Sequence, residues 1–264
     1  MNTSLAPSAS NVPAVTFGFW ITKIFANGLG ETGASLAMIG VAEMMPRPWQ
    51  TGANGHVITS GVFMALIAAL VGAQICLARF QPWLFWAAIV CATISGAELA
   101  DLINHSLGLG YPGASLLLLV TVLSSLFLWH RSGENLFLNS VVKPKVLIFY
   151  WVTIILSQTL GTALGDWLAS LGPGYSGGAV VFGASCALLA ALYFWTKLSR
   201  LALFWAAFIL TRPLGESLGD FLYRPISQGG LQFSRPLSFG MLAVVVIALV
   251  LIVPQRRRQI PQSD

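Results

Sequence analysis

The chain repeats one motif at fixed spacing four times, and that constrains its fold more than anything else. An aromatic residue precedes a Trp at Phe19-Trp20, Phe85-Trp86, Tyr150-Trp151 and Phe204-Trp205. Ten residues after each Trp stands a glycine: Gly30, Gly96, Gly161 and Gly215. Fourteen after it comes a small residue, Ala34, Ala100, Gly165 or Gly219. The next position is Ser35 in the first copy and Asp101, Asp166 and Asp220 in the others. The steps between the Trp residues are 66, 65 and 54 residues, so each unit is long enough for a helical hairpin. A motif recurring at such periods sets the architecture before any local propensity does.

The medium follows from the charges. Only 9% of residues are charged and 56% are hydrophobic, with a mean hydropathy of +0.78. A soluble domain carries roughly 25% charged residues. Apolar runs near 20 residues are expected as transmembrane helices over about 15–36, 57–79, 83–103, 112–131, 145–169, 178–197, 201–222 and 237–254. Pro46-Arg47-Pro48, Gln81-Pro82, Lys143-Pro144-Lys145, Pro225 and Pro254 punctuate them. The expectation is an all-α, polytopic bundle of about eight helices, built as four parallel helical hairpins at 14–80, 81–143, 144–198 and 199–254. Residues 1–13 and the basic stretch 255–264 read as tails, the first disordered.

Lys and Arg flanking the spans divide nine to three. Arg79, Arg131, Lys143, Lys145, Lys197, Arg200 and Arg256 to Arg258 lie on one side, Arg47, Arg224 and Arg235 on the other. The positive-inside rule then places both termini in the cytoplasm of a multi-pass inner-membrane protein. It also makes the aromatic-Trp pairs interfacial anchors at the cytoplasmic face, with most other Trp and Phe facing lipid. The net charge of +5 sits in these flanks and implies no nucleic-acid partner. Cys76, Cys91 and Cys186 are unclustered, and no HExxH, CxxC pair or nucleophile-base pattern is present, so neither an enzyme nor a cofactor is expected.

Six of the nine acids, Glu31, Glu98, Asp101, Asp166, Glu216 and Asp220, fall inside the repeated motif. At 1.5 Å per residue they stand roughly 16–22 Å beyond the Trp, well inside the membrane. An ionisable group near the centre of a span costs about 2.5–3.5 kcal/mol or more, so it faces a bundle interior and marks a site. Lys23 and Arg212 are the internal cations available to balance them, with Glu31 and Glu216 as partners in an alternative, purely structural reading. Asn27, Thr93, Gln158 and Arg212 share the seventh position after Trp, an inward polar layer. The small residues Gly30, Gly96, Gly161, Gly165, Gly215 and Gly219 read as close helix packing. His56, His105 and His130 read as loop or helix-end residues, although His105 stands four residues after Asp101.

The runs Val12-Pro13-Ala14-Val15-Thr16, Phe19-Trp20, Lys23 and Gly30-Glu31-Thr32-Gly33 carry a resemblance, as do Phe204-Trp205, Arg212-Pro213-Leu214-Gly215-Glu216 and Gly219-Asp220. The chain resembles, from about Val12 to Val253, bacterial multi-pass proteins built from a repeat of unknown function, described as uncharacterised membrane-anchored proteins. It departs from that pattern at Ala34-Ser35, where Gly-Asp is expected, and at Glu98, where Thr is expected. The resemblance implies a fold and no activity. From the residues themselves, the leading expectation is a carboxylate-lined path for a small cation, a divalent metal such as manganese or a proton. Hard oxygen ligands suit such ions, although the identity of any metal is not specified by the residues. The competing expectation is a scaffold or sensor in the lipid bilayer whose charges only fix helix register.

Overall fold

The computed structural model describes residues 9–46, 53–77, 80–106, 109–132, 144–172, 174–228, 230–254 and 257–259. Arg47, Arg79, Lys143 and Arg256, used above for orientation, lie outside them, as does the side chain of His105. Eight helices follow one another: α1 (Phe17–Met44), α2 (Ala53–Leu77), α3 (Pro82–Ser106), α4 (Gly110–Arg131), α5 (Pro144–Ser170), α6 (Gly174–Trp195), α7 (Arg200–Tyr223) and α8 (Arg235–Ile252). Local chemistry sets several ends. Thr16 Oγ1 accepts from the Phe19 amide at 3.2 Å, and Ser199 and Ser234 cap α7 and α8 in the same way. Pro82 and Pro144 open α3 and α5, where a missing N–H costs nothing.

Seven of these helices, all but α1, are long and apolar enough to cross a membrane. Helix α1 carries Lys23, Asn27 and Glu31 and lies inside the bundle, packed on α3, α7 and α8. It runs eight residues past its expected end. The last five residues of the expected N-terminal tail form a strand, β1 (Ala9–Pro13), paired antiparallel with β2 (Arg257–Gln259). Ala9–Pro13 and Arg257–Gln259 therefore meet at one end of the bundle, where Val253 also packs over Gly18.

The four odd helices close into a ring. Helix α1 packs on α3, α3 on α5, α5 on α7, and α7 back on α1. Each even helix lies outside this ring and packs chiefly on the odd helix of the next hairpin: α2 on α3, α4 on α5, α6 on α7, and α8 on α1. Hairpin partners touch one another less than they touch the neighbouring hairpin. The outer helices turn large apolar residues outward, Leu116 and Leu123 on α4, Val180 and Leu188 on α6, and Val244 and Leu251 on α8 among them. That is the composition a lipid-facing surface needs.

The aromatic-Trp pairs pack against one another between the odd helices, six of the rings buried and Trp20 and Phe204 half-buried. Phe19 packs on Trp86 at a centroid distance of 5.6 Å, Phe85 on Trp151 at 5.7 Å, Tyr150 on Trp205 at 6.5 Å, and Phe204 on Trp20 at 5.7 Å. Each hairpin thus hands its first aromatic to the Trp of the next, and the fourth hands its own to the first. All eight rings of this collar have a partner on another helix, because ring closure turns these positions toward the neighbouring odd helix.

The glycines repeat the same cyclic logic. Gly30 faces Thr93, Gly96 faces Gln158, Gly161 faces Arg212, and Gly215 faces Asn27. In every case the glycine ten residues after a Trp accepts the side chain seven residues after the next Trp. Gly165 and Gly219, one turn on, face Glu216 and Glu31. A Cβ at Gly96 would fall 2.9 Å from Gln158 Cβ and 3.0 Å from the Thr159 amide nitrogen. Gly96→Val is therefore expected to lower stability by about 1–3 kcal/mol or more through overpacking. Gly61→Ala, where nothing lies within 4 Å, is expected to be neutral or to stabilise by up to about 1 kcal/mol. Thermal unfolding in detergent reads both, and equal effects would contradict the interlock.

Candidate functional site

Positions three, seven, eleven and fifteen after each Trp are spaced by four residues and share a helix face. In the ring they stack into layers along its axis. The third-position layer is Lys23, Ile89, Ile154 and Phe208, all fully buried. The seventh is Asn27, Thr93, Gln158 and Arg212, also fully buried. Gln158 Nε2 donates to Asn27 Oδ1 at 3.0 Å and to Thr93 Oγ1 at 2.5 Å, Thr93 Oγ1 donates to Asn27 Oδ1 at 3.3 Å, and Asn27 Nδ2 donates to the Thr211 carbonyl at 3.0 Å. This network ties all four odd helices together across the axis. Interhelical hydrogen bonds in membranes average about 0.6 kcal/mol each, so its main effect is to fix register.

Above the network the axis opens into a cavity of about 430 Å³ at the end of the bundle away from the chain termini. Its wall includes the whole eleventh-position layer, Glu31, Ala97, Thr162 and Glu216, and three members of the fifteenth, Ser35, Asp101 and Asp166. Glu98, one position off the layer, also lines it. The structure thus brings five of the six motif acids to one cavity. Asp220 is the exception. Its Oδ1 accepts from Tyr223 Oη at 2.6 Å and pairs with Arg224 Nε at 3.1 Å, so it stands behind two residues that themselves line the cavity.

Charge balance differs from the expected pairing of Lys23 and Arg212. Arg212 alone serves both glutamates: Nη2 donates to Glu31 Oε2 at 2.8 Å, and Nη1 lies 3.5 Å from Glu216 Oε2. Lys23 meets no acid. Its Nζ lies 3.8 Å from the centroid of the Phe208 ring and has no hydrogen-bond partner among the described residues. The reason is depth, because Lys23 sits two turns closer to the aromatic collar than Glu31 does. Asp166 makes no ion pair or hydrogen bond with the described residues, although Arg212, Asp101, Glu31 and Asp220 all act on it electrostatically.

Three lining residues, and one partner of a lining acid, were not legible as such in the sequence. His56 belongs to the first turn of α2, not to a loop, and its Nδ1 lies 2.6 Å from Glu98 Oε2. Tyr223, Arg224 and Arg235 close the wall beside α7 and α8. The α7–α8 connection folds back, with the amides of Leu231, Gln232 and Phe233 donating to the carbonyls of Phe221, Arg224 and Leu222. That satisfies the end of α7 and holds both arginines near Tyr223, their guanidinium carbons 5.9 and 5.3 Å from its ring. Continuing the Trp register to the eighteenth position finds Tyr223, and the four-residue step from Asp220 finds Arg224. His130 is exposed in the last turn of α4, away from the site.

The model of a family described as a Repeat of Unknown Function (DUF347) matches residues 84–135, 149–199 and 203–259. The chain belongs to this family. The three matched segments coincide with the hairpins α3–α4, α5–α6 and α7–α8, and each begins at or just before its aromatic-Trp pair. No curated protein and no solved structure matches the chain. In this member of the repeat family, removing Arg212 strands the buried Glu216 carboxylate and the half-buried Glu31 carboxylate. Arg212→Ala is expected to cost about 3–5 kcal/mol, whereas the triple change Arg212→Met, Glu31→Gln, Glu216→Gln is expected to cost less. Chemical unfolding of the detergent-solubilised protein checks the order.

Proposed function

We propose that this protein binds and moves a small cation across a bacterial inner membrane, with the carboxylate-lined cavity as the site of entry and both termini in the cytoplasm. The observation that carries this reading is the cavity itself, which gathers Glu31, Glu98, Asp101, Asp166 and Glu216 on four-fold-related helices. Rings of acidic side chains favour cations, and the low dielectric around them strengthens the effect. We also take α1–α2 to be a fourth, diverged copy of the repeat, since it fills the remaining place in the ring and keeps the aromatic pair and glycine.

The acids are spread over a wall and do not meet at a point. Among the described residues, no three His, Cys, Asp or Glu side chains are grouped to hold one metal ion. That arrangement favours a proton or a hydrated ion, manganese included, over a stripped ion held by a tight ligand cage. The scaffold reading draws on a specific observation as well: Glu31 and Glu216 share Arg212, Asp220 takes Arg224, and Glu98 takes His56. It does not account for Asp166, which lines the cavity without such a partner.

Asp166→Asn therefore separates the two. In liposomes holding the purified full-length protein, manganese uptake is expected to fall about tenfold or more, roughly 1.4 kcal/mol or above, with helicity and unfolding temperature unchanged. Wild-type uptake in the Asn variant would leave the acids with an architectural role only.

A further inference from the structure

Among the described residues, Lys23 is a feature of the axis that neither packing nor the acid site explains. The equivalent positions in the other hairpins are Ile89, Ile154 and Phe208, all in the same apolar cluster, so an apolar residue satisfies the fold there. A buried ammonium within the membrane is costly, and its usual compensation is an acid or a set of acceptors. Lys23 has neither; it rests on the Phe208 ring. The titratable groups that act on it are Arg212 on α7 and Cys186 on α6, and no carboxylate is among them.

Other buried polar atoms without protein partners lie on the layers either side of it. One turn toward the cavity, Gln158 Oε1 accepts nothing, and beside it Arg212 Nε donates nothing. One turn toward the chain termini, in the aromatic collar, the indole N–H groups of Trp151 and Trp205 donate nothing. Buried donors and acceptors without protein partners are the groups that ordered water satisfies. These atoms span the axis from the plate under the cavity to the collar, with Lys23 between them.

We propose that Lys23 is a proton relay connecting the carboxylate cavity with the terminal end of the bundle, so that cation movement in this protein is coupled to protons. The amine releases a proton to water on the collar side, leaving a neutral –NH2, and regains one from water below Gln158. The cavity acids resupply that water, so one proton enters for each that leaves. An amine suits this step because, unlike a guanidinium, it can give up its proton within a protein. The inference rests on the cation-path reading of the cavity, and the test separates the two.

Full-length protein in phosphatidylethanolamine–phosphatidylglycerol liposomes containing pyranine is given a potassium-diffusion potential with Mn²⁺ outside. Lumenal pH then reports proton movement, and paramagnetic resonance reports Mn²⁺ binding. Wild type is expected to move protons, and Lys23→Met and Lys23→Arg are both expected to lose at least about 90% of that rate, a tenfold change, while Mn²⁺ binding persists. Lys23→Met should fold at least as well as wild type, since it restores the apolar character of the other three hairpins. Wild-type proton movement in Lys23→Arg overturns the relay, because a fixed charge then suffices. Absence of proton movement in wild type with Mn²⁺ still bound also overturns it and leaves the cavity reading standing. Loss of both removes the two together.

Discussion

The approach of glycine to a neighbouring polar side chain holds this structure in register. Each odd helix presents a glycine where the next one presents Asn27, Thr93, Gln158 or Arg212. A side chain on the glycine would separate the helices, and the polar group would lose its seat. In lipid there is no hydrophobic force between helices, so such close contacts and the hydrogen bonds they allow supply the cohesion. Four contacts of one kind, taken in a circle, leave no free end. The aromatic collar below is cyclic for the same reason.

Ring closure decides what the charges can do. Arg212 is carried to the axis as the fourth member of a polar layer whose other three members are neutral. From there it reaches Glu31 across the interface and Glu216 one turn along its own helix. The pairs fix the cavity floor and leave the acids of the outer layer on the wall. The axis is consequently graded: apolar rings, then a lysine among apolar residues, then a hydrogen-bonded plate with one arginine, then carboxylates. A cation arriving from the open end meets attraction first and fixed positive charge after it.

The outer helices add mostly cover, although α8 brings Arg235 to the cavity wall. Helix α2 brings His56 to Glu98, the acid that stands one position out of register. The first hairpin lacks an acid at its fifteenth position, where Ser35 stands, and the second has one extra in Glu98. Both residues line the same cavity. The two irregular positions thus face one shared space.

The sequence alone determined the helical class, the hairpin unit, the polar layer and the set of acids, because each is written in a period: 3.6 residues for the face, about 60 for the hairpin. It also located the small residues, since close packing in lipid admits few residue types. It took His56 for a loop residue, offered Lys23 as a partner for glutamate in one of its two readings, and did not show that the aromatic pairs pack on one another. Those three depend on which way the odd helices turn, and nothing local encodes that. Only the tertiary structure decided it: once α7 packs on α1, the Trp face meets the neighbouring odd helix, one arginine reaches two acids, and the lysine is left alone among rings and isoleucines.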